Sequence, residues 1–143
     1  MTTITSAGAG LLDRTITDIA ELVEKREVSP VELVEACLQR IDAVDGQLRA
    51  FITVTGYQAL EAARAAERMI TAGYYLGPLH GIPLAIKDNV YTRGVRTTAG
   101  SKILADFVPT EDATVVKKLK QADRKSTRLN SSHRSLSRMP SSA

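Results

Sequence analysis

The sequence predicts an α/β fold, in which helices pack against a sheet. Two short apolar runs, residues 50–55 and 82–87, have the length and composition of strands. They alternate with longer segments of helical periodicity, one over residues 57–72 and another that begins near Asp112. This order of strand, helix, strand and helix is typical of an α/β sheet.

Two more helices are expected before the first strand. The apolar spacing over residues 19–23 marks a short helix. Ser29 and Glu32 have the spacing of a capping box, and Pro30 between them suits the first helical position. The helix that this box opens is predicted to end near residues 45–46, Asp-Gly.

Residues 77–89 carry the most informative feature of the chain, because they deliver one lysine to the end of an apolar strand. Successive side chains of a strand point to opposite faces. One face is therefore predicted to carry Ala85, Lys87 and Asn89, and the other Ile86 and Asp88. A salt bridge between Lys87 and its neighbour Asp88 does not follow from their adjacency.

Lys87 is either a catalytic base or an ordinary lysine at a strand end. A lysine acts as a base only when neutral, and its reference pKa of about 10.4 makes that form cost roughly 4.6 kcal/mol at pH 7. Burial lowers a lysine pKa, and a short apolar strand is a plausible place for burial. In the alternative, the side chain extends into water.

Residues 77–122 closely resemble the amidase signature family, in which a Gly-[Ile/Val]-Pro-x-x-x-Lys-Asp strand precedes a Thr-x-Gly-Ser loop. The first motif stands here as Gly81–Asp88 and the second within Thr97–Ser101. The resemblance covers roughly residues 15–122, and the lysine strand is its specific part. The resemblance implies that the chain is truncated and forms the N-terminal part of an α/β fold, in which helices surround a mixed sheet.

The resemblance also implies a catalytic triad, of which Lys87 is the general base. The other members would be a serine preceded by a cis peptide and a nucleophilic serine, and neither has a counterpart in this chain. Such an enzyme hydrolyses a small-molecule carboxamide or transfers its acyl group to another amine. Amidotransferase subunits would be partners if the reaction is tRNA-dependent, and the fragment alone is expected to be inactive.

The polar residues around the lysine have open roles. The resemblance implies that Gly100 and Ser101 belong to a loop that supports the site. An equal alternative is that Ser101 is a turn serine whose side chain bonds its own backbone. His80 is interpreted as a turn residue, with a place near the substrate as the alternative. Asp88 and Asn89 are expected to hold the strand end rather than to react.

Residues 123–143 resemble a translated sequencing adapter. The stretches 123–133 and 137–143 match what consecutive codons of a widely used adapter encode, and seven of these 21 residues are serine. We therefore expect a non-native, disordered tail that packs on nothing. The remaining chain divides into a flexible N-terminus, residues 1–14, and a fragment of an amidase domain, residues 15–122.

Composition excludes several classes of function. The tail holds five of the 19 basic and one of the 16 acidic residues, so residues 1–122 carry 14 basic against 15 acidic, a net charge of −1. Nucleic-acid binding by the fragment is therefore not expected. No apolar run is long enough for a membrane span, and residues 1–10 lack a secretory signal, which predicts a cytoplasmic protein.

Metal and cofactor sites are not expected either. The single cysteine, Cys37, is in phase with the apolar side of the second helix, which indicates a core position. Only one histidine, His80, precedes the tail, so the ligands of a metal site cannot be assembled. The remaining alternative to an enzyme is a non-catalytic module whose helices, residues 18–45, bind a partner, and the lysine strand favours the enzyme.

Overall fold

The computed structural model describes residues 10–122 and 128–129. The elements, in chain order, are α1 (Ile16–Glu24), α2 (Pro30–Leu48), α3 (Gly56–Thr71), β1 (Leu84–Ala85), α4 (Thr114–Ala122) and β2 (Arg128–Leu129). The α/β class is confirmed, although helices contribute most of the regular structure. Among the described residues, no helix is long and apolar enough to cross a membrane.

Capping boxes begin the first two helices. Thr15 caps α1, and its hydrogen bonds to Asp18 lower the pKa of that carboxyl. The predicted box at α2 is confirmed: Glu32 N donates to Ser29 Oγ at 3.4 Å, and Ser29 N donates to Glu32 Oε2 at 2.9 Å. Each box satisfies amide groups that the first helical turn leaves without partners.

The predicted end of α2 at residues 45–46 is wrong by two residues, because the helix continues to Leu48. A glycine inside a helix costs about 1 kcal/mol relative to alanine and does not by itself end the helix. The end is set instead by Arg49, which adopts the left-handed conformation with a φ of 50°.

Helix α3 packs against α2 through small side chains. Its buried face consists of Ala59, Ala63, Ala66 and Ile70. A Cβ atom built on Gly56 would lie 3.3 Å from Leu38 of α2, so the helices approach closely at this end. The predicted stop at Gly73 is confirmed: the helix ends at Thr71, Ala72 is its C-cap, and Gly73 follows with a φ of +90°.

Two apolar clusters form the core. The first consists of Ile19, Val23, Leu33, Ile70 and Ile82. Leu11 and Leu12, in the described part of the predicted N-terminal segment, residues 1–14, pack against this cluster.

The second cluster consists of Val34, Ala59 and Ala63, between α2 and α3. Cys37 packs against these residues, as its phase in the helix predicts. Burial raises the pKa of the Cys37 thiol to about 11, which keeps the thiol protonated at neutral pH and makes it a poor nucleophile.

The predicted strand at residues 50–55 is absent, because side chains rather than a neighbouring strand bind its backbone. Ala50 N and Phe51 N donate to Asp45 Oδ1 at 2.7 and 3.1 Å. Arg96 Nη2 donates to the carbonyl oxygen of Ile52 at 3.3 Å. The segment is an irregular connection between α2 and α3.

The two strands pair in parallel, with Leu84 opposite Arg128 and Ala85 opposite Leu129. The expectation that residues 123–143 pack on nothing is therefore wrong for residues 128–129. Backbone pairing needs no particular side chains, and an unpaired strand edge accepts any extended segment within reach. The rest of this tail and residues 1–9 lie outside the described residues.

Candidate functional site

The lysine strand shows the predicted alternation of faces. Ala85, Lys87 and Asn89 are exposed, whereas Ile86 and Asp88 are buried. The regular strand is shorter than predicted, since only Leu84 and Ala85 pair with a neighbour. After the strand, the amide of Val90 donates to the carbonyl of Lys87 at 2.9 Å, which turns the chain.

The burial that we expected for Lys87 is not found in this chain. Its side chain is exposed, and so is its neighbour on the same face, Ala85. Lys87 forms no ion pair with any residue in the described part of the chain. The described residues therefore place the amine at the strand end but do not shield it from water.

Asp88 anchors the strand end to the loop that follows. Its side chain is 7% exposed, and one oxygen accepts a 2.8 Å hydrogen bond from Thr98 N. The other oxygen accepts from the hydroxyl of Thr98 and, at 3.4 Å, from Gly100 N. The carbonyl of Asp88 accepts from Ala99 N at 3.2 Å. The prediction that Asp88 holds the strand end is confirmed.

The loop itself is a tight turn, residues 98–101. Ser101 N donates to the carbonyl of Thr98 at 2.9 Å, and the two residues between them have positive φ angles, 50° at Ala99 and 69° at Gly100. Two successive left-handed residues define a type I′ turn, and alanine is uncommon there. The bonds to Asp88 offset this strain.

The turn offers no free amide to a ligand. Thr98 N, Ala99 N and Gly100 N all donate to Asp88, and Ser101 N donates to Thr98. A hole of backbone amides for a substrate oxyanion therefore cannot be built from these four groups in this conformation. Thr98 was missed in the sequence, although its place in the Thr-x-Gly-Ser motif was a signal.

Ser101 behaves partly as the turn serine that we considered. Its Oγ accepts a hydrogen bond from Ile103 N at 3.2 Å, and the residue is half-buried. The oxygen is thus held by the backbone two residues further on, a common serine turn. The hydroxyl proton keeps the capacity to donate, because the bond to Ile103 uses only an acceptor position.

His80 is fully buried beside the lysine strand. Its Nδ1 accepts a 3.2 Å hydrogen bond from Leu76 N, so the ring is neutral with the proton on Nε2. Burial lowers the pKa of His80, and Nε2 has no hydrogen-bond partner within the described part of the chain. The contact with Leu76 supports its interpretation as a turn residue, and a place near the substrate stays a prediction.

Asp88 offers a direct test of the strand anchor. In Asp88→Asn the side chain keeps its shape but has only one acceptor oxygen, so a donor of the turn, residues 98–101, loses its partner. A buried donor without a partner costs about 1–3 kcal/mol of unfolding free energy. Urea denaturation should show this loss, whereas the exposed control Asp42→Asn should stay within about 0.5 kcal/mol of the parent chain. Equal midpoints for the two variants would contradict the anchor.

The chain shares its fold with a known class of enzymes. The fold is that of the amidase signature enzymes, and the described residues form the N-terminal part of it. A family model described as "Amidase" matches residues 32–125, and the chain belongs to this family.

Two of the similar curated proteins are A-type subunits of glutamyl-tRNA(Gln) amidotransferase. The one from Geobacter sulfurreducens is 52% identical over 112 residues, 78% of this chain and 23% of its own length. The one from Moorella thermoacetica is 50% identical over 105 residues, 73% of this chain and 22% of its own length. The chain thus spans less than a quarter of these relatives.

Solved structures show the same fold. The peptide amidase from Stenotrophomonas maltophilia superposes with a TM-score of 0.74 and 34% identity, over 85% of this chain and 24% of that one. A bacterial aryl acylamidase of the amidase signature family superposes with a TM-score of 0.75 and 30% identity, over 84% of this chain and 25% of that one.

Proposed function

We propose that this chain supplies the catalytic lysine of an enzyme that cleaves a carboxamide, with Lys87 as the general base. The observation that carries the proposal is the position of Lys87 at a strand end that the buried Asp88 ties to the turn, residues 98–101. A base must be held in place relative to the group that it deprotonates. The family membership supports the same reaction class.

In the proposed reaction, Lys87 Nζ takes a proton from one serine hydroxyl, which takes a proton from a second, nucleophilic serine. The second oxygen attacks the amide carbon, and the acyl group stays on the second serine. The amine departs with the proton that Lys87 Nζ took up, which the first serine relays. Water then releases the acid, or another amine accepts the acyl group. Both serines have no counterpart in these 143 residues, so the chain by itself is proposed to be inactive.

The exposed face of Ala85 and Lys87 supports a role for further protein in this site. A lysine base needs an environment that excludes water, and the described residues do not provide one. The relatives are about four times longer than their match to this chain. We propose that the additional part of a longer protein covers this face and supplies the serines.

The substrate proposed for that longer protein is a small-molecule amide. The names of the relatives, which are subunits of a glutamyl-tRNA(Gln) amidotransferase, support partner subunits if the reaction is tRNA-dependent. The alternative of a helical interaction module has less support, because the buried residues of α1 and α2 are used for the intramolecular core.

We also keep the proposal that residues 123–143 are a translated adapter and that residues 15–122 belong to an amidase domain. Amplification from source DNA across codon 122 should yield a continuing amidase-like sequence with paired serines in a glycine-rich stretch. Recovery of the Asp-Arg-Lys-Ser-Thr coding sequence from adapter-free DNA would refute the adapter.

The functional test compares the 143-residue chain with the longer protein from that DNA. The longer protein should release ammonia from simple carboxamides, and the chain should show no release above the uncatalysed rate. Loss of triad residues in a serine hydrolase lowers kcat by a factor on the order of 10⁶. For this reason we expect no measurable amide hydrolysis by the 143-residue chain. Hydrolysis by the chain that Lys87→Ala abolishes would contradict the proposed need for the serines.

A further inference from the structure

A groove of about 470 Å³ lies between the end of α2, the irregular connection that follows it and the turn, residues 98–101. Its charged lining residues are Asp45, Arg49, Arg96 and Lys102. Thr98, Gly100 and Ser101 form part of the same lining. Three cations and one carboxylate therefore face a volume that could hold a small molecule.

The carboxylate is already engaged. Asp45 Oδ1 accepts two backbone hydrogen bonds, from Ala50 N at 2.7 Å and from Phe51 N at 3.1 Å. These bonds tie Asp45 to the connection after α2, and no salt bridge links it to a groove cation. The positive charges of the groove are thus in excess, and their mutual repulsion favours a bound anion.

The backbone at the end of α2 explains why Arg49 forms no ion pair with Asp45. An arginine four residues after an aspartate in a continuous helix would lie on the same face and pair with it. Arg49 instead adopts a φ of 50° just after the helix ends at Leu48, which directs the chain away from that face. No ion pair forms between Arg49 and Asp45 in the structure.

The other two cations are also available to a ligand. Arg96 donates one hydrogen bond, from Nη2 to Ile52 O at 3.3 Å, which holds the guanidinium at the groove and leaves its remaining N–H groups for other acceptors. Lys102 has no ion pair among the described residues. Elsewhere on the surface, Lys25 and Arg64 pair with Glu21 and Glu61.

A neutral donor completes the lining. The hydroxyl of Ser101 donates to no acceptor in the described part of the chain, and its Oγ uses only an acceptor position for Ile103 N. The turn that carries Ser101 is fixed by the buried Asp88, so this donor is held in place before a ligand arrives. Preorganised donors lose less entropy when they bind.

We propose that this groove binds an oxyanion, the carboxylate or phosphate group of a small molecule. Arg49 and Arg96 can offer paired N–H groups that match such planar or tetrahedral oxyanions, Lys102 adds a point charge, and Ser101 adds a hydroxyl donor. This site is separate from the proposed chemistry of Lys87, and its test does not measure amide cleavage.

The test follows the amide resonances of Gly100, Ser101 and Lys102 in the ¹⁵N-labelled 143-residue chain. Inorganic phosphate and acetate are titrated separately, with sodium chloride adjusted to keep the ionic strength constant. We expect saturable shifts for at least one oxyanion and not for chloride. Tighter binding of phosphate would identify a phosphate ligand, and tighter binding of acetate a carboxylate.

Charge-removing variants decide whether the groove is responsible. Arg96→Gln and Lys102→Gln should each weaken binding by about tenfold, the effect of one charge-assisted hydrogen bond. Lys102→Gln removes no hydrogen bond or ion pair among the described residues, so it remains informative if Arg96→Gln disturbs the fold. Lys118→Gln, an exposed change on α4, and Lys87→Ala should leave the affinity unchanged.

Three results would overturn the proposal. One is a response that does not saturate or that chloride reproduces at equal ionic strength, since this is general screening. Another is an affinity that stays the same in both Arg96→Gln and Lys102→Gln. An equal loss of affinity in Lys118→Gln would also overturn the proposal, because it would show that only the net charge of the chain matters.

Discussion

Replacing Lys87 with arginine in the proposed longer enzyme should lower kcat for a simple carboxamide by about 10⁴-fold or more, nearly as much as replacement with alanine. The reason is chemical: a guanidinium stays charged at every working pH and cannot accept a proton, whereas it keeps the positive charge and most of the length of lysine. Kinetics at saturating substrate would measure the effect.

The matched control for this experiment is Lys118, an exposed lysine on α4. Lys118→Arg and Lys118→Ala should retain the parent kcat. Because Lys87 is exposed in this chain and has no ion pair among the described residues, its replacement should leave the unfolding midpoint of the chain unchanged. An enzyme that keeps more than about a tenth of its activity with arginine at residue 87 would show that the lysine serves as a fixed charge.

Gly81→Ala should destabilise the chain by about 2–5 kcal/mol. Gly81 has a φ of +80°, where an alanine costs roughly 1–2 kcal/mol. Its new Cβ would also lie 2.7 Å from Pro30 Cγ and 2.9 Å from Pro30 Cβ, at the start of α2. Overpacking of this kind costs about 1–3 kcal/mol more. Urea denaturation monitored by circular dichroism would measure the loss.

Gly94→Ala separates the two causes. Gly94 has a similar φ of +75°, but a Cβ atom there meets nothing within 4 Å. This variant should therefore lose only the conformational part, about 1–2 kcal/mol. If both variants lost the same free energy, the close approach of Gly81 to Pro30 would not contribute to stability, and the position of the lysine strand against α2 would need another explanation.

Local features of the fold were predictable from the sequence. The capping box of Ser29 and Glu32, the proline at the start of α2 and the stop of α3 at Gly73 involve groups a few residues apart. Their energies depend on the chain within one or two turns, so short patterns determine them. The alternation around Lys87 is equally local, because any extended backbone sends neighbouring side chains to opposite sides.

The sequence prediction failed where the hydrogen-bond partners of the backbone could not be inferred from the local pattern of residues. Residues 50–55 have the composition of a strand, but Asp45 and Arg96 bind their backbone instead. Residues 128–129 pair with β1, although their own sequence indicated no structure. Arg96 and β1 are far along the chain from the segments that they bind, whereas Asp45 lies only five residues before Ala50. A strand exists only where a partner strand is within reach.

The sequence by itself determined the helices, the face on which Lys87 lies and the family to which the chain belongs. The tertiary structure alone decided that Lys87 is exposed here, that Thr98 binds the carboxylate of Asp88, and that Arg49, Arg96 and Lys102 share one groove. The physical reason is range: capping and alternation act between neighbours in the chain, whereas burial and charge clustering depend on which distant segments the folded backbone brings together.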